Sequence, residues 1–245
     1  MTTLAPNRLA VAWHDAECGS YRADLPLWRE LADGVSGPLL DLGCGSGRVA
    51  LDLASRGHEL TAVDSEPALV SALRARAAGL AVRTETADAR SLELGRRFAL
   101  VIAPMQVVQL MGGPRGRARL LDAAHRHLDA GGRLAVALAD PFEELAPEQA
   151  LLPLPDVREE EGWVLSSQPV AVRSREHGVA IDRVRQAVSP DGELTEELVT
   201  ILLDHLTAPE FEAEAAGRGF EVLPPRRVEA TADHVGSAVV VLRRP

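Results

Sequence analysis

Short apolar runs and helical spacings take turns over the first 140 residues of this chain. Leu25, Leu27, Trp28 and Leu31 recur at helical spacing within 22–33. Leu39–Leu42 reads as a short strand, and Val49, Leu51, Leu53 and Ala54 mark a helix over 46–56 that stops at Gly57. Residues 59–63 predict a second strand, 66–78 a helix and 80–86 a third strand. Phe98–Ala103, FALVIA, is apolar throughout, as a strand buried on both faces of a parallel sheet would be. A helix over 115–128 ends before Gly131-Gly132, and 133–139 supplies a fifth strand. Strand and helix alternating in this way predict a doubly wound α/β sheet with right-handed crossovers.

The rhythm then changes. Residues 143–161 are rich in Pro and Glu and read as a connector with room for one short helix. Three β-like runs follow, at 163–174, 179–188 and 193–206, separated by turn signals at His177-Gly178 and Ser189-Pro190-Asp191-Gly192. They predict a small antiparallel insertion ahead of the last helix. Thr207-Ala208-Pro209-Glu210 has the form of a capping box opening that helix, which ends near Gly217–Gly219. Phe220–Leu223 and Ser237–Leu242 form a closing strand pair and bring the main sheet to seven strands. The expected organisation is one domain: a helical cap over 1–34, a core over 35–140, connector and insertion over 141–206, and a closing segment over 207–245.

Composition narrows the function classes. A net charge of −10 argues against gripping nucleic acid or an anionic membrane by electrostatics. Every basic residue among the 26 is Arg, which we attribute to coding bias. Cys18 and Cys44 follow no CxxC or Cys/His ligand spacing, so neither a disulfide framework nor a structural zinc is expected. The N-terminus lacks a secretory pattern, and no apolar run approaches the ~18 residues of a membrane span. The expectation is a soluble, cytoplasmic protein.

The chemistry concentrates in LLDLGCGSGRVALDLASRGHELTAVD, residues 39–64. A glycine-rich turn between strand and helix places unpaired backbone N–H groups beside a ligand, which suits a pyrophosphate and equally a carboxylate and a ribose. Gly45 to Ala50 fits the permissive GxGxxA dinucleotide pattern, although Arg48 breaks the stricter form begun at Gly43. No Gly-Lys-Ser/Thr exists for a Walker loop. Asp41 tips the balance, because a carboxylate at the mouth of the cradle repels phosphates and accepts from a cationic amine.

Asp41-x-Gly43-x-Gly45-x-Gly47 resembles motif I of the class I S-adenosylmethionine-dependent methyltransferases. The resemblance covers about residues 20–140, with the terminal strand pair weaker, and implies a Rossmann-like fold. It implies that Gly43, Cys44, Gly45 and Gly47 line the cofactor and that Asp64, with Ser65, meets the ribose hydroxyls. Ala87, Asp88 and Ala89 then correspond to the adenine site, Ala103 and Met105 to the approach to the methionine portion, and Tyr21 to a residue holding that portion. Ala99 departs from the family, where an acid is common. Each position also has a plainer role: a tight turn for the glycines, a helix cap for Asp64 and Ser65, a turn for Asp88, a small filler for Cys44.

The resemblance implies S-adenosyl-L-methionine as cofactor, S-adenosyl-L-homocysteine as product, and alignment of an acceptor as the main catalytic device. A metal-assisted transfer would need clustered acids, and only Asp140, Glu143 and Glu144 follow the fifth strand, so no metal is expected. The Asn/Asp-Pro-Pro-aromatic run of DNA amino-base transferases is replaced by Ala-Pro-Met-Gln. A small-molecule O or N acceptor remains, contacted by Trp13, Gln106, Trp163 and Arg173, with His14 the candidate general base. His125 and His127 are expected to face solvent, while His177, His205 and His234 have no constellation. The insertion reads either as a substrate lid or as a contact between subunits, of a monomer or a homodimer. Two other classes stay open: an NAD(P)-binding oxidoreductase, and a non-catalytic protein that binds the same cofactor.

Overall fold

The computed structural model describes residues 5–139, 154–176, 178–231 and 234–245. Asp140, Glu143, Glu144, the connector over 141–153 and His177 lie outside the described residues. In chain order the elements begin with α1 (Pro6–Cys18), α2 (Leu25–Asp33), β1 (Leu39–Leu42), α3 (Arg48–Ser55), β2 (Leu60–Asp64), α4 (Pro67–Arg76) and β3 (Val82–Thr86). Next come β4 (Phe98–Ala103), α5 (Pro114–His127), β5 (Leu128–Ala139), β6 (Asp156–Glu160), β7 (Trp163–Arg175) and β8 (Gly178–Val188). Last are β9 (Leu194–Asp204), α6 (Ala208–Ala216), β10 (Glu221–Val222), β11 (Arg226–Val228) and β12 (Ser237–Arg243). They group into two compact units, Arg22–Asp140 with Asp204–Pro245, and Met1–Tyr21 with Pro141–Leu203.

The larger unit is a sheet in the order β10-β12-β5-β4-β1-β2-β3, with β11 also paired to β12. Strands β3, β2, β1, β4 and β5 run parallel, and β12 is antiparallel to β5. The chain reverses its strand order between β1 and β4, and the crevice at the carboxyl ends of these two strands is where open α/β sheets take ligands. Leu40, Leu42, Val101, Val136 and Leu134 pack with Leu120, Leu121 and Ala124 of α5 and Phe211 of α6. The expected capping box opens α6, with Thr207 and Glu210 bonding reciprocally. The expected seven strands are all present, and β11 is an eighth. Only three residues long and next to Pro224-Pro225, β11 carries too little pattern to be read from sequence.

The smaller unit is a four-stranded antiparallel sheet in the order β6-β7-β8-β9. Three strands were expected; β6 is the addition, inside the segment read as connector. Its sequence DVREE is charged because it is an edge strand with one exposed face, which hides the usual β signal. Helix α1 packs on this sheet, with Ala12 and Trp13 against Trp163, Leu165 and Ala187. Glu17 secures it, accepting from Arg185 Nε at 2.7 Å and from the Ser167 hydroxyl at 2.7 Å.

The two histidines on α5 correct an expectation. His127 is buried: its Nε2 accepts from the Leu94 amide at 2.9 Å, so Nδ1 carries the proton and donates to the Ala123 carbonyl at 2.7 Å. His125 is half-buried, its ring edge-on to Phe220 at 5.2 Å. The helix turns its last residues toward the loop before β4 and toward Phe220, which helical spacing alone does not reveal.

Candidate functional site

Strand β1 runs between β2 and β4, which puts Asp41 opposite Ala62 and Ile102. Its neighbours Leu40 and Leu42 join the apolar core, so the alternation of a strand turns Asp41 to the other face. Asp41 is 1% exposed, and neither carboxylate oxygen has a hydrogen-bond partner among the described residues. Burial pushes its pKa up to about 8; nearby Arg48 opposes that rise, while Asp64 and Asp24 add to it. An orphaned buried carboxylate is costly, and a cationic hydrogen-bond donor would relieve it.

The chain then turns through Gly43, Gly45 and Gly47, all at positive φ, before α3 begins at Arg48. A side chain would not fit at two of them. A Cβ on Gly43 would lie 2.5 Å from Val107 Cγ2, and one on Gly47 2.3 Å from Leu73 Cδ1. Gly43 therefore lies close against the segment after β4, where Ala103 is buried and Met105 has the left-handed φ of 58°. A non-glycine residue at such a φ is strained, and strain of this kind concentrates at ligand sites.

Asp64, at the end of β2, holds the turn in place. Its Oδ2 accepts from the Gly45 amide and its Oδ1 from the Glu66 amide, both at 2.9 Å. The Cys44 amide donates to the Val63 carbonyl, and the Ala87 amide to the Asp64 carbonyl, each at 3.0 Å. The cap of α4 comes from Glu66, whose side chain accepts from the Ala68 amide, so neither Asp64 nor the exposed Ser65 is needed for it. Asp88 caps the short helical turn beginning at Ala89 and pairs with Arg90, whose hydrogen bonds hold its carboxyl below the usual range. Cys44 is buried, which drives its thiol well above the ordinary pKa, so it has no thiolate character.

Asp41, Gly43, Cys44, Gly45, Gly47, Asp64, Ala87, Ala103 and Met105 are thus brought to one edge of the larger unit. Gln106 follows Met105 there, its carbonyl accepting from the Gln109 amide. Ala99 lies at the far end of β4 from Ala103, its amide bonded to the Pro38 carbonyl. Trp13, His14, Tyr21, Trp163 and Arg173 belong to the smaller unit. Trp13 and Trp163 are buried in its apolar cluster, and the Arg185 guanidinium lies 5.3 Å from the Trp13 ring. Arg173 pairs with Asp182 at 2.5 Å. His14 Nδ1 lies 3.9 Å from Asp15 Oδ1, beyond hydrogen-bond range, and Tyr21 is buried.

Sequence reasoning missed three contributors. Asp24 and Arg48 form a buried bidentate pair beside the glycine turn, and Asp24 also accepts from the Trp28 indole at 2.8 Å. Gln109, 3% exposed, exchanges two hydrogen bonds with the backbone of Ala139 at the end of β5. An Arg in the first position after the last glycine was the one available signal, since a charge placed there calls for a counterion.

A doubly wound sheet with a glycine turn at its switch point and an acid ending β2 defines a protein of the nucleotide-cofactor-binding α/β class. Residues 39–132 match the family model described as "Methyltransferase domain". That span, from β1 into β5, is where the chain carries a methyltransferase domain. No curated protein sequence matches it significantly. Three similar solved structures share the fold. The sugar N-methyltransferase KedS8 from Streptoalloteichus sp ATCC 53650 is 20% identical with a TM-score of 0.72, over 100% of this chain and 95% of that one. The amino pentose methyltransferase CalS10 from Micromonospora echinaspora, with S-adenosylmethionine bound, is 21% identical with a TM-score of 0.69 over 100% of both chains. The methyltransferase CcbJ from Streptomyces caelestis is 20% identical with a TM-score of 0.71, over 96% of this chain and 98% of that one. Among the described residues, no helix is long and apolar enough to cross a membrane.

Proposed function

We propose that this protein binds S-adenosyl-L-methionine and transfers its methyl group to an N or O atom of a small molecule. The observation that carries this reading is the Asp41 carboxylate, buried and without a partner beside a turn of backbone amides. Its chemistry fits the ammonium of an amino-acid moiety and disfavours a pyrophosphate, which sets the NAD(P) reading aside. Asp64, which accepts one hydrogen bond at each oxygen, keeps lone pairs for ribose hydroxyls. The half-buried edge at Ala87 and Asp88 is the proposed adenine site, and Met105 and Gln106 the proposed approach to the methionine portion.

When bound, the cofactor supplies a methyl group already activated on a sulfonium. The contribution of this chain is then to orient donor and acceptor and to exclude water; a strong base is not required for an amine acceptor. The sugar N-methyltransferase and amino pentose methyltransferase among the similar structures support an amine on a sugar as the first acceptor class to try. Replacing His14 by Gln tests its proposed role as general base, since unchanged turnover near neutral pH removes it.

Calorimetry with S-adenosylmethionine, S-adenosylhomocysteine and NAD tests the cofactor assignment. Binding of the two sulfur ligands and no binding of NAD is expected; the reverse result overturns the reading. Mass spectrometry of amino sugars, other amines and phenols incubated with protein and cofactor then tests transfer, and sedimentation separates monomer from homodimer.

A further inference from the structure

Two charged groups flank the buried Asp41, and their arrangement is unusual. Arg48 is close enough for its charge to be felt at Asp41, and both groups are shielded from water. Left to themselves, a buried guanidinium and a buried carboxylate pair through two parallel hydrogen bonds. Here the Asp41 carboxylate has no hydrogen bond among the described residues. Arg48 instead directs Nη1 to Asp24 Oδ1 at 2.5 Å and Nη2 to Asp24 Oδ2 at 2.7 Å. The Asp24 side chain is 4% exposed and is fixed in turn by the indole N–H of Trp28, which is fully buried.

Building on the methyl-donor reading above, we propose that Asp24 is a positioning residue: by engaging the Arg48 guanidinium, it keeps the Asp41 carboxylate open for the ammonium of the ligand. With the Asp24 carboxylate removed, the guanidinium is released toward Asp41, whose anion its charge already favours, and it would fill the place of the ligand's amine. The pair also cancels its own charge, so the ammonium approaches Asp41 and Asp64 without facing an uncompensated cation. Arg48, Asp64 and Asp24 are the charged groups that act on Asp41, and the test varies Asp24 and Arg48 while Asp64 is left in place.

The test compares two ligands by calorimetry. S-Adenosylhomocysteine carries the ammonium, and 5′-methylthioadenosine lacks the amino-acid portion. For Asp24→Asn, affinity for S-adenosylhomocysteine is expected to fall at least about tenfold, the scale of one charge-assisted hydrogen bond, with affinity for 5′-methylthioadenosine within about twofold. The double variant Asp24→Asn with Arg48→Gln removes the competing cation and is expected to recover S-adenosylhomocysteine binding to within about threefold. Equal loss of both ligands, no loss, or no recovery in the double variant overturns the proposal. Should Asp24→Asn melt before it can be assayed, Trp28→Phe loosens the same clamp and is expected to show a smaller loss confined to S-adenosylhomocysteine. A wild-type protein that binds neither ligand overturns the methyl-donor reading and this proposal with it; wild-type binding with unaltered variants overturns this proposal alone.

Discussion

The Gly45 amide donates to Asp64 Oδ2 across 2.9 Å, so the acid that ends β2 also fastens the turn that follows β1. One carboxylate therefore serves the fold and the proposed ribose site together. Replacing Asp64 by Ala frees the Gly45 and Glu66 amides at once. The expected result is a stability loss of about 1–3 kcal/mol in urea titration and at least about tenfold weaker binding of S-adenosylhomocysteine. Unchanged affinity would refute the ribose role while leaving the loop anchor intact.

The glycine turn separates two sources of strain. At Gly43 an Ala meets both a φ of 68° and the Val107 side chain at 2.5 Å. Gly43→Ala is expected to destabilise the protein by about 1–3 kcal/mol. Adding Val107→Ala removes the steric part only, so partial recovery is expected in a thermal melt. Full recovery would show that the backbone conformation costs nothing.

Asp41 makes stability and binding depend on pH in a stated direction. Its pKa near 8 lies far above the ordinary value of about 3.9 because burial disfavours the anion. The folded state therefore holds a proton that the unfolded chain has lost between about pH 4 and pH 8, and this group lowers stability as pH rises through that window. Asp41→Asn is expected to flatten this slope in denaturant titrations at several pH values and to abolish tight binding of S-adenosylhomocysteine. In the wild type, an ammonium beside Asp41 favours its anion, so binding near pH 7 is expected to release a proton. Calorimetry in two buffers of different ionisation enthalpy reads that release directly; equal apparent enthalpies would exclude it.

Arg117 closes a second network in the larger unit. Its side chain is 6% exposed and reaches Asp204 at 2.8 Å and Glu214 at 2.6 Å, while Asp204 also accepts from the Gly113 amide. Arg117→Met leaves two poorly solvated carboxylates without their cation, and a loss of about 3–5 kcal/mol is expected in urea. Arg243→Met, which breaks the exposed pair with Glu221, serves as the comparison and should cost far less.

The order of apolar runs and glycine turns was enough to derive the parallel core, the capping box at Thr207 and the glycine turn with its two acids. These are local signals: β1, β2 and β4 are buried on both faces, and a positive φ can be read from a glycine. The edge strand β6 and the short β11 escaped because their pairing partners, and not their own side chains, make them strands. His127 was misjudged because a loop 33 residues upstream, at Leu94, supplies its partner.

Sequence by itself determined the order in which the strands of the parallel core follow along the chain, the glycine turn after β1 and the acids on either side of it. Tertiary structure alone decided what state those acids are in. Asp41 is buried on the central strand between β2 and β4 with no partner for its carboxylate, and Arg48 is engaged by Asp24, 24 residues earlier, which opens α2. Burial and the competition between partners are properties of the packed chain, since they depend on distances that no spacing in the sequence encodes.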